Sequence, residues 1–135
     1  MTEKCFIDSN VWVYLLSDDD PVKTEKAGTM LTRIQHKVVS WQVVNEVCFT
    51  LIRKKGREEP FVRKTIDLIC ESCEVVDFSV SLLEAASRLR VQHSISFWDS
   101  LIVSAALMAE CDKLLSEDLQ SHQRYGKMIV QNIFR

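Results

Sequence analysis

The stretch Cys5-Phe6-Ile7-Asp8-Ser9-Asn10-Val11-Trp12-Val13-Tyr14-Leu15-Leu16 decides the fold. The apolar run that ends at Asp8 predicts a short strand over Cys5–Asp8, and the apolar run that follows predicts a helix over Ser9–Leu16. In open parallel α/β sheets, ligands bind beyond the carboxyl ends of the strands. Asp8 is therefore a candidate active-site residue, and the remaining chain can be searched for acids that reach the same edge.

Composition describes one ordinary globular domain over residues 1–135, with 47% hydrophobic residues, 27% charged residues, 3 Gly and 2 Pro. The net charge of −2 weakens a nucleic-acid interpretation without excluding it, because binding can depend on a local basic patch. Five cysteines and no signal peptide predict reduced thiols and a cytoplasmic protein. No apolar run approaches the roughly 18 residues of a membrane span, so no membrane association is expected.

Strands and helices are predicted to alternate along the whole chain. Further helices are predicted at 21–35, 41–54, 57–71, 81–92 and 96–110, and further strands at 37–40, 74–77, 112–116 and 127–131. This order indicates an α/β fold in which helices cover both faces of a mainly parallel, five-stranded sheet. The sixth helix is apolar on nearly all sides, which is typical of a buried central helix.

Four acids are predicted to lie near one edge of that sheet. Asp8 ends the first strand, Glu46 lies near the start of the helix after the second strand, and Asp118 follows the fourth strand. These three meet by topology alone, because strand ends and the starts of the following helices share an edge. Asp99, in the first turn of the sixth helix, belongs to the second of two consecutive helices, so its placement depends on the fold.

Clustered carboxylates repel one another, and hard cations with oxygen ligands relieve that repulsion. The cluster therefore predicts Mg²⁺ or Mn²⁺ as the cofactor. Asn10 and Ser116 are expected to orient ligands or water molecules around it. Such ions bind phosphates and activate water, which points to phosphoryl chemistry.

Four motifs, in order, resemble the PIN-domain family and, within it, the VapC-type ribonuclease toxins. The motifs are Phe6-Ile7-Asp8-Ser9-Asn10, Ser40-Trp41-Gln42-Val43-Val44-Asn45-Glu46, Ser96-Phe97-Trp98-Asp99-Ser100-Leu101-Ile102 and Leu114-Leu115-Ser116-Glu117-Asp118-Leu119. The resemblance implies a three-layer α/β/α fold and a Mg²⁺- or Mn²⁺-dependent endoribonuclease with an RNA substrate. It implies that the acidic quartet of the family corresponds to Asp8, Glu46, Asp99 and Asp118. It also implies a homodimer and a small antitoxin that occludes the acidic cleft.

Two alternatives remain at this stage. A Mg²⁺-dependent phosphohydrolase would use Asp8 as its nucleophile, although haloacid-dehalogenase-like enzymes usually have a second Asp where this chain has Asn10. A non-catalytic PIN-like RNA-binding module would keep the fold without turnover. The sequence leaves open the RNA target, the identity of the antitoxin and whether one or two ions act.

Three further features are interpreted from their chemistry. The basic run Arg53-Lys54-Lys55-Gly56-Arg57 either contacts the RNA backbone or is a solvated helix end, and the second interpretation is the commoner one. The pair Cys70 and Cys73 predicts free thiols, because no second pair completes a zinc site. Core packing around the cleft is favoured over base stacking for Trp12, Trp41 and Trp98.

Overall fold

The computed structural model describes residues 3–135, which form one six-stranded sheet and six helices. The strands are β1 (Lys4–Ile7), β2 (His36–Ser40), β3 (Cys73–Val76), β4 (Lys113–Leu115), β5 (Arg124–Tyr125) and β6 (Met128–Gln131). The helices are α1 (Ser9–Leu16), α2 (Pro21–Arg33), α3 (Trp41–Arg53), α4 (Glu59–Ser72), α5 (Val80–Gln92) and α6 (Phe97–Met108).

The strands are ordered β3-β2-β1-β4-β6-β5 in the sheet. The chain first adds β2 and β3 on one side of β1 and then adds β4, β6 and β5 on the other side. The strand order therefore reverses between β1 and β4. β1 pairs in parallel with both β2 and β4, in register Cys5 with Lys113 and Ile7 with Leu115. β3 and β6 extend the parallel sheet on either side. The crevice at such a reversal point is where open α/β sheets bind ligands, and both β1 and β4 end there.

The apolar core forms because the strands of a parallel sheet are covered on both faces. Phe6, Ile7, Val38, Val39 and Leu114 are each 0% exposed. Helices α1 to α4 pack against one another, and α5 and α6 form a second pair, of which α6 also packs against β2. α6 is the buried helix that its sequence predicts, since its residues from Ser100 to Ala106 are all buried.

The predicted α/β/α fold with a mainly parallel sheet is confirmed, and the five predicted strands are present. Two details of the prediction were wrong. A sixth strand, β5, pairs antiparallel with β6 through a tight connection in which Gly126 has φ +60°, a conformation that suits two-residue hairpins. Helix α5 begins at Val80, one residue before its predicted start, and the Ser79 hydroxyl caps it by accepting the Leu82 amide at 3.1 Å.

The five cysteines are free, as predicted. Among residues 3–135, no helix is long and apolar enough to cross a membrane.

Candidate active site

Asp8 lies at the carboxyl end of β1, in the crevice between β1 and β4. Its backbone amide donates to the Leu115 carbonyl at 3.0 Å, which ties the two strand ends together. The residue is only 7% exposed. Its Oδ1 accepts the Ser9 amide at 2.8 Å and its Oδ2 accepts the Ser116 hydroxyl at 2.8 Å. The side chain therefore caps α1 while remaining part of the crevice.

Burial raises the pKa of Asp8 from its ordinary value of 3.8 to about 6. The charges of Glu46 and Asp118 contribute to this rise, whereas the hydrogen bonds from Ser116 and Ser9 oppose it. Negative charge at this position is therefore destabilised both by loss of water and by neighbouring acids. A cation in the crevice would relieve both effects.

Asp118 belongs to a turn that Ser116 and Asn10 organise. The Ser116 hydroxyl accepts the backbone amides of Asp118 at 3.2 Å and Leu119 at 3.3 Å. The Asn10 side chain donates through Nδ2 to Asp118 Oδ2 at 3.2 Å, and its Oδ1 accepts the Glu117 amide at 3.1 Å. The structure thus brings Asn10 and Ser116 beside the acids, as their sequence positions predict.

Glu46 and Asp99 face the same region from α3 and α6. Glu46 has an exposed residue surface, but partial shielding of its carboxylate is the largest cause of its raised pKa, followed by the charges of Asp99 and Asp118. A Gln42 hydrogen bond and a Ser9 hydrogen bond oppose that shift. Asp99 lies in the first turn of α6, where the Ser96 hydroxyl accepts its amide at 3.1 Å.

No basic side chain neutralises this group of acids within the described part of the chain. The ion pairs found there involve other carboxylates, such as Lys23 with Glu117 and Lys4 with Glu74. The charges of neighbouring acids raise the pKa of Asp8 and of Glu46, and none of the four predicted acids has a cationic partner among residues 3–135. This combination is the electrostatic signature of a cation site.

The chemistry of the donors fits a hard divalent cation. Every predicted ligand supplies carboxylate oxygen, and the Asn10 amide nitrogen and the Ser116 hydroxyl donate hydrogen bonds to two of those carboxylates. As the side chains stand, no three acidic, histidine or cysteine residues among residues 3–135 close around a single point. Mg²⁺ usually retains several water molecules and uses one or two carboxylates, so an open arrangement of this kind suits it better than a closed protein cage.

The structure corrects the interpretation of the tryptophans. Trp12 is 2% exposed and donates to the Ile7 carbonyl at 3.3 Å, so core packing is correct for it. Trp41 is 38% exposed and Trp98 is 65% exposed, so core packing is wrong for both. Trp41 and Trp98 lie near the starts of α3 and α6, the helices that carry Glu46 and Asp99.

The basic run lies at the far end of α3 from the crevice. Arg53 is the last residue of α3, seven residues beyond Glu46, or roughly 10 Å along the helix axis at 1.5 Å per residue. Lys55 forms an ion pair with Asp19, and the Arg57 guanidinium lies 4.8 Å from the centre of the Phe61 ring. A role in RNA contact remains a prediction for these residues.

The contacts that Glu117 makes beside the Asp118 turn were not predicted from the sequence. Glu117 accepts the Tyr14 hydroxyl at 2.7 Å and pairs with Lys23 at 2.5 Å, so that α1, α2 and the Asp118 turn are joined. The hydrogen bond between Gln42 and Glu46 was also not predicted. Residues four positions apart face each other on a helix, so the spacing of these two residues was a usable signal. No sequence signal predicts the Glu117 contacts.

A family model and several solved structures match this chain. The family model for the PIN domain matches residues 5–127. No curated protein sequence matches the chain.

Solved structures share the fold at low sequence identity. The Mycobacterium tuberculosis toxin VapC20, described as cleaving the sarcin–ricin loop, is 17% identical with a TM-score of 0.68 over 82% of this chain and 87% of that one. VapBC2 from Rickettsia felis, bound to a DNA fragment from its promoter, is 18% identical with a TM-score of 0.67 and covers 95% and 97%. VapBC-1 from nontypeable Haemophilus influenzae is 19% identical with a TM-score of 0.64 and covers 97% and 98%.

Proposed function

Because the chain belongs to the PIN-domain family, we propose that it is a metal-dependent endoribonuclease that hydrolyses RNA phosphodiester bonds. The observation that carries this proposal is the set of charge interactions that links the four acids: Glu46 and Asp118 act on Asp8 beside the β1–β4 crevice, Asp99 and Asp118 act on Glu46, and no basic residue among residues 3–135 pairs with any of the four. We further propose that it acts as the toxin of a toxin–antitoxin pair, in line with the toxin and VapBC structures that share its fold.

Each polar residue of the crevice has a role in this proposal. Asp8 and Asp99 are the principal ligands for Mg²⁺ or Mn²⁺, and Glu46 and Asp118 complete the acidic set. When bound, such an ion supplies an activated water molecule and stabilises the charge that develops on the phosphate and the leaving oxygen. Either Glu46 or Asp118 orients the attacking water.

Asn10 and Ser116 act through the acids. Ser116 donates to Asp8 and accepts from the Asp118 amide, and Asn10 donates to the Asp118 carboxylate. Together they fix the relative positions of two carboxylates that would otherwise move apart. They are positioning residues in this scheme.

The partners follow from the same proposal. They are an RNA substrate, a small antitoxin that covers the acidic crevice, and a second copy of the chain in a homodimer. The basic residues Arg53, Lys54, Lys55 and Arg57 are proposed to contact RNA phosphates away from the crevice. A cytoplasmic location fits an RNA substrate and the five free thiols.

The decisive experiment incubates the purified protein with single-stranded RNA and Mg²⁺ or Mn²⁺, with and without a chelator. We expect cleavage that the chelator abolishes. Asp8→Asn and Asp99→Asn should each lower the cleavage rate at least about 100-fold, since each removes a charged group that acts in the transition state. The matched control is Asp67→Asn, which removes an exposed acid of α4 and should leave the rate unchanged.

Two results would contradict the proposal. Equal cleavage by the parent, Asp8→Asn and Asp99→Asn would show that the acids hold no catalytic metal. Release of phosphate from a phosphomonoester, with RNA left intact, would support a phosphohydrolase instead.

A further inference from the structure

An exposed aromatic pair stands directly before Asp99. Phe97 is 52% exposed and Trp98 is 65% exposed, although both belong to the first turn of the otherwise buried α6. Their ring centres are 5.1 Å apart at an interplanar angle of 82°, which is an edge-to-face contact. Contiguous exposed apolar surface can mark a binding site, whereas single exposed apolar residues are common.

One side of the pair is held by Arg90. Its guanidinium lies 4.6 Å from the centre of the Phe97 ring and donates to the Ser100 hydroxyl at 2.7 Å. The Ser100 hydroxyl donates in turn to the Phe97 carbonyl at 2.6 Å. The Phe97 ring is thus supported from α5, so Trp98 packs against a fixed neighbour.

The other side of the pair is tied to the acids. The Gln42 side-chain amide donates to the Trp98 carbonyl at 3.4 Å, and the same side chain hydrogen-bonds to Glu46. Asp99 is the next residue along the chain. The backbone of Trp98 is therefore held near two of the four acids, Glu46 through Gln42 and Asp99 through the chain.

We propose that Trp98, supported by Phe97, is a stacking platform for one unpaired base of a single-stranded RNA whose backbone enters the acidic crevice. The inference depends on the proposed function, because it assigns a base-binding position to the same site. Every base presents a flat apolar face, so an exposed indole binds it without needing a particular sequence. An RNA base carries no charge and can lie beside the acids. The phosphate backbone of the RNA is negatively charged, so it requires the cation to approach them.

The surroundings favour a base over an apolar protein segment. Ser96 and Asp99 flank the pair along the chain, and Arg90 and Gln42 lie beside it. The exposed pair is therefore aromatic and bordered by polar groups. An amphipathic helix of a partner would require a longer apolar strip.

The first test measures RNA affinity without turnover. In the parent protein with Mg²⁺, a fluorescein-labelled single-stranded oligonucleotide with nuclease-resistant phosphorothioate linkages is titrated by anisotropy. Trp98→Ala should weaken binding about five- to 150-fold, the equivalent of about 1–3 kcal/mol per stacked base. Trp98→Phe should retain most of the affinity, and Val91→Ala, which trims an 86% exposed apolar residue of α5, should retain all of it.

A second measurement follows the indole itself. In a Trp41→Phe variant, acrylamide should quench the exposed Trp98 and spare the buried Trp12, and RNA should protect Trp98 from quenching. The oligomeric mass of Trp98→Ala is measured at the same time.

The outcomes separate the inference from the function on which it depends. If the parent cleaves RNA but Trp98→Ala binds it as tightly as Trp98→Phe does, the platform is refuted and the nuclease stands. A changed oligomeric mass in Trp98→Ala would assign the aromatic pair to a protein interface and also refute the platform. If the parent neither cleaves nor binds RNA, the proposed function fails, and the platform fails with it.

Discussion

At the scale of single residues, Ser116 is the side chain on which the geometry of the crevice depends most. It is 1% exposed, donates to Asp8 and accepts two backbone amides of the Asp118 turn. Ser116→Ala should lower the free energy of unfolding by roughly 1–3 kcal/mol, because it leaves buried polar groups unpaired. It should also lower RNA cleavage, since Asp8 and Asp118 lose their shared partner.

Ser104→Ala is the matched control for that prediction. Ser104 is also 1% exposed and donates to the Leu82 carbonyl at 3.0 Å, but it lies within α6 away from the acids. We expect a similar loss of stability, measured by urea unfolding, without a change in the cleavage rate of the folded protein. If the two variants cleave RNA equally well, Ser116 has only a structural role.

The titration of Asp8 predicts how stability depends on pH in the metal-free protein. Burial raises its pKa from 3.8 to about 6. The folded state therefore binds this proton more tightly than the unfolded state does, and the resulting stability is fully present below pH 4 and lost as pH rises through 6. The loss is on the order of 3 kcal/mol at about 1.4 kcal/mol per pKa unit.

Asp8→Asn removes that titration. In chelator, the unfolding free energy of Asp8→Asn relative to the parent should rise between pH 4 and pH 7 and then level off. Urea unfolding at each pH measures the difference, and Asp67→Asn should show no such trend. A difference that is constant with pH would mean that Asp8 has an ordinary pKa in the fold.

At the scale of elements, α6 shows how a helix cap can position a functional side chain. Ser96 and Ser79 cap α6 and α5 in the same way, each accepting an amide three residues ahead at 3.1 Å. Replacing either serine by alanine should lower the free energy of unfolding by about 1 kcal/mol, the typical cost of a lost cap. Only Ser96→Ala should also slow RNA cleavage, because Asp99 lies in the turn that this cap fixes.

Thermal unfolding and cleavage assays on the two cap variants check this comparison. Similar shifts in melting temperature with unequal cleavage rates are the expected result. If Ser79→Ala slows cleavage as much as Ser96→Ala does, the cap acts through general stability and does not position Asp99.

The elements that place the acids could be predicted because their signals are local. The apolar runs before Asp8 and Asp118 define strands, and parallel pairing then brings both strand ends to one edge. The exposure of Trp98 could not be predicted, because the same aromatic residue would suit a buried first turn. The Glu117 contacts with Tyr14 and Lys23 span 103 and 94 residues, and only the assembled fold brings such partners together.

At the scale of the whole molecule, a net charge of −2 is modest, but the charges of Glu46 and Asp118 act on Asp8, and those of Asp99 and Asp118 act on Glu46. A ligand that binds only the folded state stabilises it by mass action, by about 2.7 kcal/mol at 100 times its dissociation constant. Mg²⁺ or Mn²⁺ should therefore raise the melting temperature of the parent well above its value in chelator. Such a shift reports metal binding independently of any RNA.

The size of that shift in variants tests whether the crevice is the metal site. Asp8→Asn and Asp99→Asn should each lose most of the metal-induced rise in melting temperature, since each removes a charged oxygen ligand and the cation's affinity falls with it. Asp67→Asn, with the same change in net charge, should keep the full rise. Equal shifts in all three variants would mean that the ion screens the overall negative charge of the protein, because a specific site would distinguish the crevice acids from an exposed acid of α4.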